Sequence, residues 1–115
     1  MKEVPRLWFT PLLHAECSHA IGKQVFFGKM SLAEADATFS LLAKDRADGL
    51  WLDSPIPELA FELCADLGRR YAPRIGVRTS DTLHVACALE LRVERFWTFD
   101  ERQAKLAKAR GMKVT

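Results

Sequence analysis

Short apolar runs alternate along this chain with longer stretches in which apolar residues return every three or four positions, the period of a helix face. Leu7–Trp8–Phe9–Thr10 is apolar and β-prone, and Pro11 closes it, so it reads as a buried strand. Pro11 suits the first turn of a helix, where a missing N–H leaves no bond unmade. Leu12, Leu13, Glu16, Ala20 and Ile21 continue that helix until Gly28. Ser31 and Glu34 form the pattern of a capping box and open a second helix. Its buried stripe is expected at Ala35, Phe39, Leu42 and Ala43, with Asp48–Gly49 as the stop.

Leu50–Trp51–Leu52 is a second apolar run, ended by Asp53–Ser54–Pro55. Leu59, Leu63 and Leu67 at repeated four-residue steps predict a helix from Glu58 to Tyr71, followed by a loop over Ala72–Arg78 that contains Pro73 and Gly76. Thr79 or Ser80 is expected to cap a helix running from Asp81 to Leu91. Phe96–Trp97–Thr98–Phe99 reads as a third strand with Asp100 at its end. Glu101 to Arg110 reads as an amphipathic helix stopped by Gly111, and Met112–Thr115 as the start of a last strand. Short apolar strands alternating with helices predict an α/β domain with a parallel sheet. Trp8, Trp51 and Trp97 fall in the strands and are expected in the core.

Composition narrows the class without changing this picture. The chain has 115 residues, 49% hydrophobic and 28% charged, the balance of a single globular domain spanning 1–115 rather than of a disordered or disulfide-stapled chain. No apolar run approaches the roughly 18–20 residues that span a bilayer, so no membrane association is expected. MKEVPRLWF lacks the apolar stretch of about 7–15 residues found in signal peptides. Cys17, Cys64 and Cys87 are odd in number and widely spaced, which suits a reducing, cytoplasmic setting. The net charge is +2 but uneven: residues 1–65 hold 6 Lys/Arg against 9 Asp/Glu, and residues 66–115 hold 11 against 6. The positive half suits a polyanion.

Three acidic residues stand in apolar or small-residue surroundings. Asp81 opens a helix in SDTLHVACALEL, Asp100 follows the third strand, and Glu16 lies among Leu12, Leu13, Ala15 and Ala20. Singly, each has an ordinary explanation: Asp81 complements a helix dipole, Asp100 caps the next helix, and Glu16 is solvated. A parallel sheet, however, gathers strand ends and following helix N-termini at one edge, so Asp81 and Asp100 can converge. Clustered carboxylates repel unless a cation neutralises them, and Mg²⁺ or Mn²⁺ prefers such oxygen ligands while keeping waters. That chemistry suits phosphodiester hydrolysis.

The strings RTSDTLHVACALEL and RFWTFDERQAKLAKARGMKV resemble the C-terminal half of a PIN domain, and LWFTPLLHAECSHAI resembles its second strand and the helix bearing an acidic Glu. The resemblance runs from Leu7 to Val114 and is nearest in kind to the VapC-type toxin ribonucleases of toxin–antitoxin pairs. It implies a three-layer α/β fold with a parallel sheet flanked by helices. It further implies that Glu16, Asp81 and Asp100 are three members of an acidic set holding Mg²⁺ or Mn²⁺, with Thr98 as a supporting polar residue. The implied activity is hydrolysis of RNA by metal-activated water, and the implied partners are an RNA substrate, a cognate antitoxin and a second copy of the chain. Family members begin with an apolar strand ending in Asp, then a helix, before the segment matched by Leu7–Thr10. The resemblance therefore implies a domain truncated at its N-terminus, as from a late start or a fragment. A non-catalytic remnant that retains antitoxin or dimer contacts is the alternative.

Other constellations are weaker. Asp53 in LWLDSP superficially resembles the opening acidic motif, but its place between two helices resembles the third strand of the PIN family. His84 and Cys87 share a helix face, yet no second pair completes a zinc site with His14, His19 or Cys17. Cys64 and Cys87 read as small core residues. Arg69, Arg70, Arg74 and Arg78 cluster before Asp81, and Arg102, Lys105 and Lys108 share a helix face after Asp100. Arg74, Arg78 and Arg102 are the candidates for gripping an RNA backbone.

Overall fold

The computed structural model describes residues 7–93, 95, 96, 98 and 100–114. Trp97, Phe99 and Thr115, expected in strands, lie outside the described residues. The chain forms two compact units, Met1–Pro55 and Ile56–Thr115. The expected parallel pairing is present as one two-stranded pair in each unit.

In the first unit β1 (Leu7–Phe9) pairs in parallel with β2 (Trp51–Asp53), Phe9 standing opposite Asp53. Phe9 is 2% exposed and its neighbour Trp8 is 40% exposed. Trp8 is thus not the core residue expected, because successive strand side chains face opposite ways and an apolar run does not say which face is covered. Phe9 lies against the Trp51 ring, 5.5 Å between centroids, and the Arg46 guanidinium sits 4.4 Å above it. Thr10 caps α1 (Pro11–Phe26): its hydroxyl oxygen accepts the Leu13 N–H at 3.2 Å. Ser31 caps α2 (Leu32–Ala47) with the full reciprocal box, Glu34 N–H to Ser31 Oγ at 3.0 Å and Ser31 N–H to Glu34 Oε1 at 3.2 Å. Of the stripe expected on α2, Ala35 is buried and Leu42 half-buried, whereas Phe39 and Ala43 are exposed. No residue of α1 is fully buried.

The second unit is built on α3 (Leu59–Ile75), α4 (Thr79–Glu90) and α5 (Glu101–Ala109), with α3 and α5 both against α4 and against each other. Leu67, Val85, Ala86, Leu106 and Ala107 are fully buried here. β3 (Arg95–Phe96) pairs in parallel with β4 (Lys113–Val114). Two boundaries differ from those the sequence suggests. α3 runs through Pro73 to Ile75 rather than ending at Tyr71, because the stop signal is Gly76, whose φ of 74° allows a left-handed cap that donates to the Ala72 carbonyl. Buried Tyr71, with the Arg70 and Arg74 guanidinium groups over its ring, anchors that last turn. α4 starts at Thr79 with Arg78 as N-cap, ahead of the expected Thr79 or Ser80 cap. No described helix is long and apolar enough to cross a membrane.

Cys64 and Cys87 are buried, as expected of core residues, while Cys17 is half-buried. Burial pushes the thiol pKa up at all three, with neighbouring Glu16 adding to the effect at Cys17 and neighbouring Cys64 at Cys87. At neutral pH the reactive thiolate is therefore scarce in the folded chain. Labelling with a thiol reagent is expected to modify Cys17 first and slowly, and Cys64 and Cys87 only on unfolding in urea. Rapid reaction of all three in the native protein would contradict the burial.

Candidate active site

Among the described helices α4 has the most buried residues, and Asp81 is one of them at 6% exposure. An unpartnered carboxylate there would be costly. Arg78, at the N-cap, has no side-chain acceptor for the first-turn N–H groups. The cap chemistry comes from inside the helix instead: Asp81 Oδ2 accepts the Arg78 N–H at 3.1 Å. Its other oxygen, Oδ1, accepts from Gln103 Nε2 at 3.1 Å.

Asp100 is the N-cap of α5. Its Oδ1 accepts the N–H groups of Arg102 at 2.9 Å and Gln103 at 3.0 Å, which leaves Oδ2 outside the cap. Thr98 Oγ1 accepts the Asp100 N–H at 3.0 Å and donates to Gln103 Oε1 at 2.9 Å. Asp81, Thr98 and Asp100, separated by up to 19 positions, are therefore tied together, and Gln103 touches all three. Gln103 is the residue that sequence reasoning missed. Its one local signal, the Asp100-x-x-Gln103 spacing, reads as an ordinary capping box.

The arginines divide. Arg69 and Arg70 both bond Asp66 at 3.1 Å, and these bonds, Arg70 first, hold the Asp66 carboxyl below the usual range. Arg74, Arg78 and Arg102 are exposed. On the α5 face after Asp100, Lys105 lies 3.9 Å from Glu101.

Glu16 is an exposed residue of α1 in the first unit. In the same unit Asp53, at the end of β2, is taken by Arg46, whose Nε and Nη2 donate to Oδ1 at 3.2 and 3.1 Å. That ion pair borders an open cleft of about 320 Å³ at the carboxyl ends of β1 and β2. Among the described residues no group of three or more His, Cys, Asp or Glu side chains is placed to hold a metal ion.

A model of the PIN domain family matches residues 2–109, nearly the whole chain and both units. The chain belongs to the PIN domain family. PIN domains are in general divalent-metal-dependent nucleases that act on nucleic acids. No curated protein and no solved structure matches the chain.

Asp81, Asp100 and Thr98 each end in oxygen atoms, with no sulfur or nitrogen donor among them. A carboxylate has about four lone-pair sites, and each Asp81 oxygen carries one hydrogen bond here. Acceptor capacity therefore remains on Asp81 and on Asp100 Oδ2. That set fits a hard divalent cation held by one or two carboxylates that keeps most of its waters, and it does not fit a softer, thiolate-seeking one.

Proposed function

We propose that this PIN domain is a Mg²⁺- or Mn²⁺-dependent endoribonuclease of the VapC toxin type, acting in the cytoplasm and restrained by a cognate antitoxin. The observation that carries this reading is the buried Asp81 carboxylate joined through Gln103 to the Asp100 cap of the next helix. Asp81 and Asp100 are the metal-holding carboxylates, and Glu16 is a further one on the family resemblance. A bound divalent cation supplies a more acidic water and neutralises charge that develops on the phosphate. The protein's part is orientation. The Arg78 N–H and the Gln103 amide fix both oxygens of Asp81, while the α5 backbone fixes one oxygen of Asp100 and leaves the other to face a ligand. Exposed Arg74, Arg78 and Arg102 supply cationic contacts for the RNA backbone, a term that weakens with added salt.

The test is cleavage of a mixed RNA pool by the purified chain with Mg²⁺, with Mn²⁺ and with EDTA. Cleavage is expected in both metals and is expected to vanish with the chelator, returning when metal is restored. A folded sample that cleaves equally well in EDTA, or not at all in either metal, overturns the reading. In the latter case the second reading stands, a non-catalytic chain that keeps antitoxin or dimer contacts. The observation favouring it is apolar exposure in the first unit: Phe26 is 83% exposed, Leu32 73% and Phe27 62%.

A further inference from the structure

In an ordinary capping box the residue at the third helical position turns back and accepts the N–H of the N-cap. α5 has the residues for it, with Asp100 at the N-cap and Gln103 three positions on, and Asp100 performs its half by accepting the Gln103 N–H at 3.0 Å. Gln103 does not return the bond. The Asp100 N–H goes to Thr98 Oγ1 at 3.0 Å, and the Thr98 hydroxyl hands its proton to Gln103 Oε1 at 2.9 Å. Thr98 thus stands in for the missing half of the box. The Gln103 amide is released to donate from Nε2 to Asp81 Oδ1, 22 residues away in sequence.

The direction of every bond is fixed by chemistry. Asp81, as a carboxylate, can only accept, so the amide nitrogen must face it. Thr98 Oγ1 already accepts from Asp100, so its proton points at the amide oxygen. Turning the amide over would set Oε1 against the Asp81 carboxylate and break both contacts. A neutral side chain with a donor and an acceptor at its tip is required, and Gln has the reach.

We propose that Gln103 is a positioning residue of the nuclease site: with Thr98 as its relay, it locks the Asp81 carboxylate of α4 to the Asp100 cap of α5 so that both present oxygens to one divalent cation. The inference rests on the nuclease reading above and adds a residue that does not itself touch metal or RNA. Partners that orient metal-holding carboxylates from outside typically change affinity by roughly 10–100-fold when removed.

The test is Mn²⁺ binding by the full chain, followed by titration calorimetry, for the wild type, Gln103→Leu, Thr98→Val, the double variant and Asp81→Asn. Gln103→Leu is expected to weaken Mn²⁺ binding by roughly tenfold or more. Thr98→Val frees the Asp100 N–H to draw Gln103 back into a local box, so it is expected to weaken binding as well. The double variant is expected to be no weaker than Gln103→Leu alone, the non-additivity of groups that act as one unit. A second readout needs no metal: the side-chain NH₂ resonance of Gln103 is expected to move in both Asp81→Asn and Thr98→Val. Wild-type Mn²⁺ binding that Asp81→Asn destroys and Gln103→Leu leaves within about twofold overturns the positioning role and spares the nuclease reading. Binding that is absent, or indifferent to Asp81→Asn, overturns both. Should Gln103→Leu fail to fold by circular dichroism, Thr98→Val and the resonance shifts decide, and an unmoved Gln103 signal in both variants rejects the relay.

Discussion

Asp81→Asn is expected to lower metal-dependent RNA cleavage by about a hundredfold or more while leaving the chain folded. The two effects separate because Asn keeps the shape and one acceptor. Its Oδ1 can still take the Arg78 N–H, and its NH₂ can face Gln103 once that amide turns over, at the expense of the Thr98 contact. What disappears is the negative charge, in a place where keeping it buried is unfavourable in itself. The unfolding midpoint is therefore expected to stay level or rise, even as activity falls. Initial cleavage rates in Mn²⁺ and a thermal melt by circular dichroism check the pair of outcomes. A rate within about tenfold of wild type would remove Asp81 from the chemistry.

Leu67→Ala carries the largest expected stability effect. Leu67 has no exposed surface, and it sits on α3 where that helix packs against α4 and α5. Truncation loses the transfer energy of the removed groups and leaves a cavity, together about 2–5 kcal/mol. Against a total stability of roughly 5–15 kcal/mol for a domain, that is a large share. The control lies two turns away on the same helix: Leu59 is 61% exposed, and Leu59→Ala is expected to change stability by about 0.5 kcal/mol or less. Urea unfolding followed by circular dichroism gives both values. Equal losses at the two positions would contradict the burial pattern of α3.

Helix starts were legible to within a residue or two, because caps are local chemistry, although α4 begins with Arg78 and not with the Thr79 or Ser80 cap. Ser31 makes the bonds that its spacing to Glu34 implies, and Pro11 stands in the first turn of α1 as expected. Asp81 and Asp100 were legible as candidates for the same reason, each sitting at a helix start. Burial was harder to read. An apolar triplet such as Leu7–Trp8–Phe9 does not say which alternate side chains are covered, so Trp8 and Phe9 could not be told apart. On α3, two conflicting stop signals lie close together, and the left-handed Gly76 prevailed over Pro73. Gln103 was hidden for a different reason. A box between Asp100 and Gln103 explains both residues completely, and nothing within the local window reveals a partner as distant as Asp81. The pairing is visible only once α4 and α5 lie side by side.

The N-cap of α5 restricts which amino acids position 100 can tolerate. α5 has 9 residues, too few to hold itself together without help at its ends. Its first turn hangs on Asp100 Oδ1, while the proposed chemistry uses the charge of the same group. Asn or Ser would keep the helix start and forfeit the charge. Glu would keep the charge, but its extra methylene would carry the carboxylate away from the Arg102 and Gln103 N–H groups. If the proposed chemistry holds, position 100 answers to two separate requirements, and of the twenty side chains only aspartate meets both.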